Sequence, residues 1–151
     1  MEEVKPGTAF DVAMGQGRNA LFLASKGWDV TGYDVADQGL EIAQAAARKA
    51  GLTIRTVRAS HAEFDYGVAK WDLVVEAFAF TDLADAAYRK RVVDSLKPGG
   101  VLVIDGFGGG PKNQMPGWFG ELRVVAYEDR EDVADWGMQK MRVARIAARK
   151  E

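Results

Sequence analysis

The sequence predicts an α/β domain built on a largely parallel sheet with helices on both faces, and three features lead there. Apolar runs of strand length alternate with helix-length stretches along most of the chain, which is the pattern of βαβ units. A glycine-containing turn, Gly15-Gln16-Gly17, stands between the first apolar run and the first helix. Near the end, two apolar runs are separated by an acidic segment, a connection suited to an antiparallel hairpin rather than a crossover.

Residues 8–14 read as a short buried strand, 18–26 as a helix stopped by Gly27, and 28–34 as a second strand. Residues 36–50 form an alanine-rich helix closed by Gly51, and 52–58 alternate apolar and polar residues as a half-buried third strand does. The dense run Leu73-Val74-Val75 marks a central fourth strand over 71–77. Asp82 or Asp85 caps a helix reaching Leu96, Lys97-Pro98-Gly99-Gly100 breaks it, and 101–105 follow as strand five. The stretch 106–120 is too rich in glycine and proline for a regular element and reads as a loop. Residues 121–127 and 138–148 are the last two strands, joined by the acidic segment 128–135, in which Trp136 follows as a turn anchor.

Length and charge bound the function. A chain of 151 residues can bury roughly 68–70% of its unfolded surface, enough for one core without staples, and neither a repeat nor a linker divides it. With 20 basic against 22 acidic residues the net charge is −2, which gives no general attraction to nucleic acid or to an acidic membrane. Arg142, Arg145, Arg149 and Lys150 are spaced as an exposed face rather than a groove reader. The chain has no cysteine, so disulfides, thiolate nucleophiles and Cys zinc sites are excluded. No apolar run reaches a membrane span and the first residues lack a secretory h-region, so a cytoplasmic location is expected.

The segment that carries chemistry is Asp11-Val12-Ala13-Met14-Gly15-Gln16-Gly17-Arg18-Asn19-Ala20, at the turn from strand to helix. Glycine there lets the backbone turn sharply and lets a ligand approach where a Cβ would collide. Asp34 closes the second strand 19 residues after Gly15, where a carboxylate can accept hydrogen bonds from both hydroxyls of a ribose. Together the two features point to a nucleoside ligand. A tight turn beside a helix-capping aspartate is the bland alternative. Gly15-x-Gly17-x-x-Ala20 also fits the dinucleotide fingerprint, which keeps a nicotinamide-dependent oxidoreductase as a further alternative. Asp11 argues against that: an acid beneath the loop suits a cationic amino-acid end held through loop amides or water, and opposes a pyrophosphate.

On these residues the chain resembles the class I S-adenosylmethionine-dependent methyltransferases, over about residues 7–104. Their first motif, an acid followed by alternating glycines, is matched by Asp11, Gly15 and Gly17, with Ala13 where the first glycine usually stands. Gly15-Gln16-Gly17-Arg18-Asn19 is similar to small bacterial members whose loop reads G-x-G-R-N. Trp71-Asp72-Leu73-Val74-Val75 resembles the family's fourth strand, and Leu96-Lys97-Pro98-Gly99-Gly100-Val101-Leu102 the turn into its fifth. The resemblance implies a Rossmann-like sheet of order 3-2-1-4-5-7-6 with only strand seven antiparallel, and S-adenosylmethionine as cofactor. It implies that Asp34 binds the ribose and that Val35 packs on the adenine. The loop from Asp11 to Gly17, with Ala13, Met14, Gln16 and the nearby Asn19, would hold the methionine portion.

The chain departs from the family in two places. Ser60 stands where an acid usually meets the adenine amine, so contact there falls to its hydroxyl and to backbone groups around His61 and Ala62. The first strand also begins within about ten residues of Met1, so the helices that the family places before it are expected to be reduced or absent.

Methyl transfer from a sulfonium is an in-line displacement governed by alignment and exclusion of water, so a dedicated catalyst is optional. If a neutral hydroxyl or amine accepts the methyl, Glu76 and His61 are the candidate bases, with Asp82 and Asp105 also near the strand ends; Glu76 is expected within the cofactor site as well. Phe78 and Phe80 suit an apolar wall, and Phe107, Met115 and Trp118 suit a flap over a small-molecule acceptor. Asp105 and Glu76 are too few acids for a magnesium site, so no metal is expected, and Asp105 is read as stabilising either a helix end or the hairpin. A bare sheet edge or cofactor face is compatible with a homodimer. The second function class is a reduced module that binds the nucleoside without turnover, as a sensor or scaffold.

Overall fold

A computed structural model describes residues 4–133 and 139–151 of the chain. The elements are β1 (Thr8–Val12), α1 (Arg18–Ser25), β2 (Asp29–Asp34), α2 (Asp37–Ala50), β3 (Arg55–Arg58) and β4 (Trp71–Ala77), followed by α3 (Ala86–Ser95), β5 (Leu96–Phe107), α4 (Met115–Trp118), β6 (Arg123–Val133) and β7 (Lys140–Arg149). They form one seven-stranded sheet of order β3-β2-β1-β4-β5-β7-β6. The pairings from β3 through β5 are parallel, and β7 runs antiparallel to both β5 and β6. This is the order, with the single reversed strand, that the family resemblance implies. Among the described residues, no helix is long and apolar enough to cross a membrane.

The register explains why the central strands read as unbroken apolar runs. Ala9 pairs with Leu73 and Leu73 with Val101, and all three belong to the core layer beneath α1 and α2, with Leu23, Trp28 and Leu40. Their neighbours Phe10, Val74 and Leu102 also pair in line, and they face the opposite layer with Tyr33, Trp71, Tyr88 and Ile146. Alternate side chains leave opposite faces of a strand, so a sheet covered on both sides needs apolar residues at every position.

Several boundaries differ from the sequence prediction for identifiable reasons. β1 stops at Val12 because Ala13 turns into the left-handed region, with φ 48°. Leu52 still belongs to the close of α2, donating its N–H to Ala47 O at 2.8 Å, so β3 starts late. Asp85, rather than Asp82, caps α3, its carboxylate accepting from the Ala87 N–H at 2.9 Å. β5 runs on through Gly106 and Phe107, which pair with Ala144 and Val143, and the expected loop contains the short α4.

The acidic segment expected to connect the last strands is instead mostly strand. Glu128 to Val133 lie in β6 and pair with β7 down to Lys140. Arginines across the ladder neutralise the acids: Arg145 reaches Glu128 and Asp132, and Arg142 reaches Asp129. The proposed turn anchor Trp136 lies outside the described residues.

The two-layer core predicts a sharp contrast between substitutions. Leu102→Ala, at a fully buried central position, is expected to cost about 2–5 kcal/mol in denaturant melts. Val57→Ala, on the edge strand and 41% exposed, is expected to change stability by less than about 0.5 kcal/mol. Similar losses at the two sites would contradict this placement of the core.

Candidate functional site

Strand β1 lies between β2 and β4, so the connections after β1 and after β4 leave the carboxyl edge of the sheet on opposite sides and a crevice forms there. The loop after β1 is fastened at each step. Met14 N–H donates to Tyr33 O at 2.8 Å, and Gly17 N–H to Met14 O at 2.9 Å. The Asp34 carboxylate accepts the Gly15 N–H at 2.8 Å through one oxygen and the Ala36 N–H at 2.9 Å through the other. Gly17 starts α1 at φ 82°, and a Cβ there would meet the Ala43 Cβ at 2.8 Å, so the loop packs directly on α2. Gly15 also has a positive φ, 54°, but no atom lies within 4 Å of where its Cβ would be, so its face is open to a ligand. Ala13 adopts the same left-handed region without being glycine, which costs about 1–2 kcal/mol.

Asp11 lies beneath this loop, 2% exposed, and accepts the Ala20 N–H at 3.0 Å, tying the loop to the first turn of α1. Burial pushes its carboxyl up to about 7, the nearby Asp34 charge adds to that, and the Ala20 N–H and Arg18 oppose it.

Two compartments open on either side of Ala13. One, of about 330 Å³, is lined by Ala13, Tyr33, Asp34, Val35, Ser60, His61 and residues 78–81. The other, of about 350 Å³, is lined by Ala13, Met14, Gly15, Arg18, Asn19, Ala77, Phe78 and Phe80. Eight of the sequence-predicted residues are thereby brought together: Ala13, Met14, Gly15, Asn19, Asp34, Val35, Ser60 and His61. Asp11 and Gly17 support the loop from below, while Gln16 and Ala62 are exposed and line neither compartment. His61 sets its ring edge-on to Tyr88 at 5.7 Å between centroids.

Ser60 is partly engaged within the chain. Its N–H donates to Glu63 Oε2 at 2.9 Å, and its Oγ accepts the Glu63 N–H at 3.3 Å, the reciprocal pairing of a capping box. The Ser60 hydroxyl keeps its O–H donor and one lone pair, so it can still meet a ligand amine or a ligand acceptor atom. The spacing Ser60-x-x-Glu63 carries this signal in the sequence.

A third cavity, of about 520 Å³, shares Phe78, Ala79, Phe80 and Thr81 with the first compartment. Glu76 lines this cavity and neither of the other two. Its far wall is the segment expected to act as a flap, with Phe107, Met115 and Trp118 turned to the space. That wall is latched to the hairpin. Asp129 takes Arg142 Nε at 2.6 Å and Nη2 at 2.7 Å, and also accepts the Asn113 N–H at 2.8 Å, while Arg142 Nη1 donates to Gly110 O at 3.0 Å. Arg142 holds the Asp129 carboxyl far below the usual carboxylate range. Asp105 accepts Arg145 Nε at 3.0 Å, the hairpin-stabilising one of its two expected roles. Asp129, Arg142 and Thr81 are the site residues that sequence reasoning missed; only the pairing of an acidic run with a basic one offered a sign of the first two.

Asp11 yields a test whose sign follows from its raised carboxyl. Because the folded chain holds that proton more tightly than the unfolded one, stability from this group is full below about pH 4 and declines as pH rises toward about 7. Asp11→Asn keeps an acceptor for the Ala20 N–H and removes the ionisation. It is expected to gain stability on the wild type between pH 4 and pH 8, on the order of 2–4 kcal/mol. A pH-independent difference in denaturant melts would contradict the assignment.

Comparison with known proteins agrees with this geometry. A family model for the methyltransferase domain matches residues 9–100. A demethylmenaquinone methyltransferase of Thermus thermophilus is 35% identical over 131 residues, covering 83% of this chain and 57% of that protein. The chain therefore spans little more than half the length of that curated relative. Among solved structures, TehB from Haemophilus influenzae superposes with a TM-score of 0.82 at 20% identity, covering 97% of this chain and 58% of that one. A Burkholderia thailandensis 1,6-didemethyltoxoflavin-N1-methyltransferase, solved with 1,6-didemethyltoxoflavin and S-adenosylhomocysteine bound, gives a TM-score of 0.77 at 19% identity over 97% of this chain and 72% of that one. With the sheet order, the glycine loop and the family match in agreement, the chain belongs to the methyltransferase-domain family, in its class I, Rossmann-like form.

Proposed function

We propose that the chain transfers a methyl group from S-adenosylmethionine to a small-molecule acceptor, with the cofactor along the two compartments beside Ala13 and the acceptor in the adjoining cavity. The observation that carries this reading is the Asp34 carboxylate at the end of β2, bonded to the Gly15 N–H and bordering the compartment that also contains Val35. Each oxygen of Asp34 already accepts one backbone N–H and keeps a further lone pair for a ribose hydroxyl. Val35 is 62% exposed and offers an apolar surface to an adenine ring. The open face of Gly15 and the side chain of Asn19 border the compartment assigned to the methionine portion.

When bound, the cofactor supplies an activated methyl on a sulfonium, and the chain's own residues supply position. Phe78 is fixed by the bond from its N–H to Asp105 O at 2.7 Å, and its ring meets that of Phe107 at 5.3 Å. It therefore forms a stiff partition where all three cavities meet. Such a partition favours a single approach of acceptor to methyl carbon, and the apolar walls exclude competing water. The names of the two relatives, a demethylmenaquinone methyltransferase and a 1,6-didemethyltoxoflavin-N1-methyltransferase, support an aromatic acceptor here.

A binding module without turnover is the second reading, favoured by the exposure of Val35 and of Phe80, which is 86% accessible and leaves the cleft uncovered in this chain. Formation of S-adenosylhomocysteine during incubation with aromatic acceptors separates the two, because a binding module releases none. A nicotinamide cofactor is disfavoured by the buried acid of Asp11 beneath the loop. Asp34→Ala is expected to weaken S-adenosylhomocysteine binding by about 2–3 kcal/mol in calorimetric titration. Unchanged affinity in a folded variant would remove Asp34 from the cofactor site.

A further inference from the structure

Glu76, next to last in the apolar strand β4, is 1% exposed, yet it lines the acceptor cavity. Both groups bonded to it are neutral hydroxyls: Thr81 Oγ1 donates to Oε1, and Tyr88 OH donates to Oε2 at 2.9 Å. The two other carboxylates on that wall are engaged by guanidinium groups, Asp105 by Arg145 and Asp129 by Arg142. Glu76 therefore meets hydroxyl dipoles where its neighbours meet cations. A buried carboxylate held in that way is costly to keep ionised, and a purely structural role does not require one.

The surroundings hold the group in place. Tyr88 packs edge-on to Tyr66 with centroids 6.0 Å apart, and the Tyr66 and Tyr33 hydroxyls are bonded at 2.9 Å. The Arg91 guanidinium lies over the rings of Tyr66 and Tyr88 at 5.5 and 5.7 Å. The titratable and charged groups near Glu76 are thus Tyr33 from β2, His61 and Tyr66 from the segment before β4, and Tyr88 and Arg91 from α3, with Asp105, Asp129, Arg142 and Arg145 beyond the cavity. Each Glu76 oxygen keeps a lone pair after its bond to Thr81 or Tyr88. Among the described residues no lysine, arginine or histidine lines the cavity, so no side-chain cation there compensates an acceptor that arrives already ionised. An acceptor that enters neutral must therefore lose its proton inside.

We propose that Glu76 is the general base of the transfer, accepting the proton of a weakly acidic hydroxyl on a flat, apolar aromatic acceptor. This rests on the methyltransferase reading above. In the step, a lone pair of the acceptor oxygen forms the bond to the methyl carbon. The carbon–sulfur bond of the sulfonium donor breaks with its electron pair going to sulfur, and the O–H proton passes to a Glu76 oxygen. A sulfonium and a carboxylate become a thioether and a carboxylic acid, so two opposite charges are removed from an apolar site. Burial raises the Glu76 carboxyl above the ordinary range, toward the acidity of its proton donor, while Thr81 and Tyr88 limit the rise.

The test uses the full chain, S-adenosylmethionine, and two phenols at pH 8: 1-naphthol, which is largely neutral there, and 4-nitrophenol, which is largely ionised. Glu76→Gln, checked for folding by circular dichroism, is expected to lose about 10²–10⁴-fold in kcat on 1-naphthol and far less on 4-nitrophenol. Equal losses on both would overturn the proposal, since a merely structural role ignores acceptor acidity. Infrared difference spectra of wild type against Glu76→Gln, with S-adenosylhomocysteine present and 1-naphthol added, read the group without turnover. The Glu76 carboxylate band is expected to shift on naphthol addition, and a band indifferent to naphthol would overturn the assignment. Failure of the wild type to bind S-adenosylhomocysteine or to methylate either phenol would count against the methyltransferase reading itself, and the infrared spectra, recorded then with 1-naphthol alone, would still judge Glu76.

Discussion

The reversal of strand order at β1, with the strands on both sides still parallel to it, is the constraint on which the rest of the site depends. β1 pairs with β2 on one side and β4 on the other, so a crevice opens at its carboxyl end, and Ala13, Gly15, Asn19, Asp34 and Phe78 are gathered around it. Asp34 ends β2, Phe78 follows β4, and the glycine loop follows β1 itself. The bond between the Asp34 carboxylate and the Gly15 N–H ties the first two strands together at this point, and the strained backbone of Ala13 persists because the loop is held on both sides.

The other half of the site is built by charge. A twelve-residue β5, extended by Gly106 and Phe107, carries β7, and β7 presents Arg142 and Arg145 to the acids of β6. Arg142 and Asp129 then fix the segment that walls the acceptor cavity, with the 2%-exposed Asp129 side chain bridging hairpin and loop. The cofactor cleft depends on backbone turns, whereas the acceptor cavity depends on ion pairs.

This division also explains how far the sequence could be read. The alternation of strands and helices, the antiparallel hairpin at the end and the glycine loop follow from local signals: apolar runs at strand length, glycines at the first turn, and a carboxylate at the end of β2, whereas the order of the strands comes from the family resemblance. The local signals are short-range requirements of backbone geometry. The cross-strand pairing of Glu128 and Asp132 with Arg145 is non-local, so an acidic run reads as a solvated connector until its partners are placed. Glu76 was legible as an acid at a strand end, but its position in the acceptor cavity rather than the cofactor compartments depends on how Phe78 turns the chain, at φ 48°. The capping pair of Ser60 and Glu63 was visible as a spacing, yet the comparison with an acid at Ser60 drew the reading toward a ligand.

The central claim is that a nucleoside sits at the end of β2 with its ribose on Asp34, and the most direct measurement is a crystal structure of the chain grown with S-adenosylhomocysteine. The account predicts ribose hydroxyls within hydrogen-bonding distance of the Asp34 carboxylate, adenine against Val35 between Ser60 and His61, and the amino-acid end beside Gly15 and Asn19. A nucleoside bound elsewhere, or a cleft left empty at saturating ligand, would contradict it.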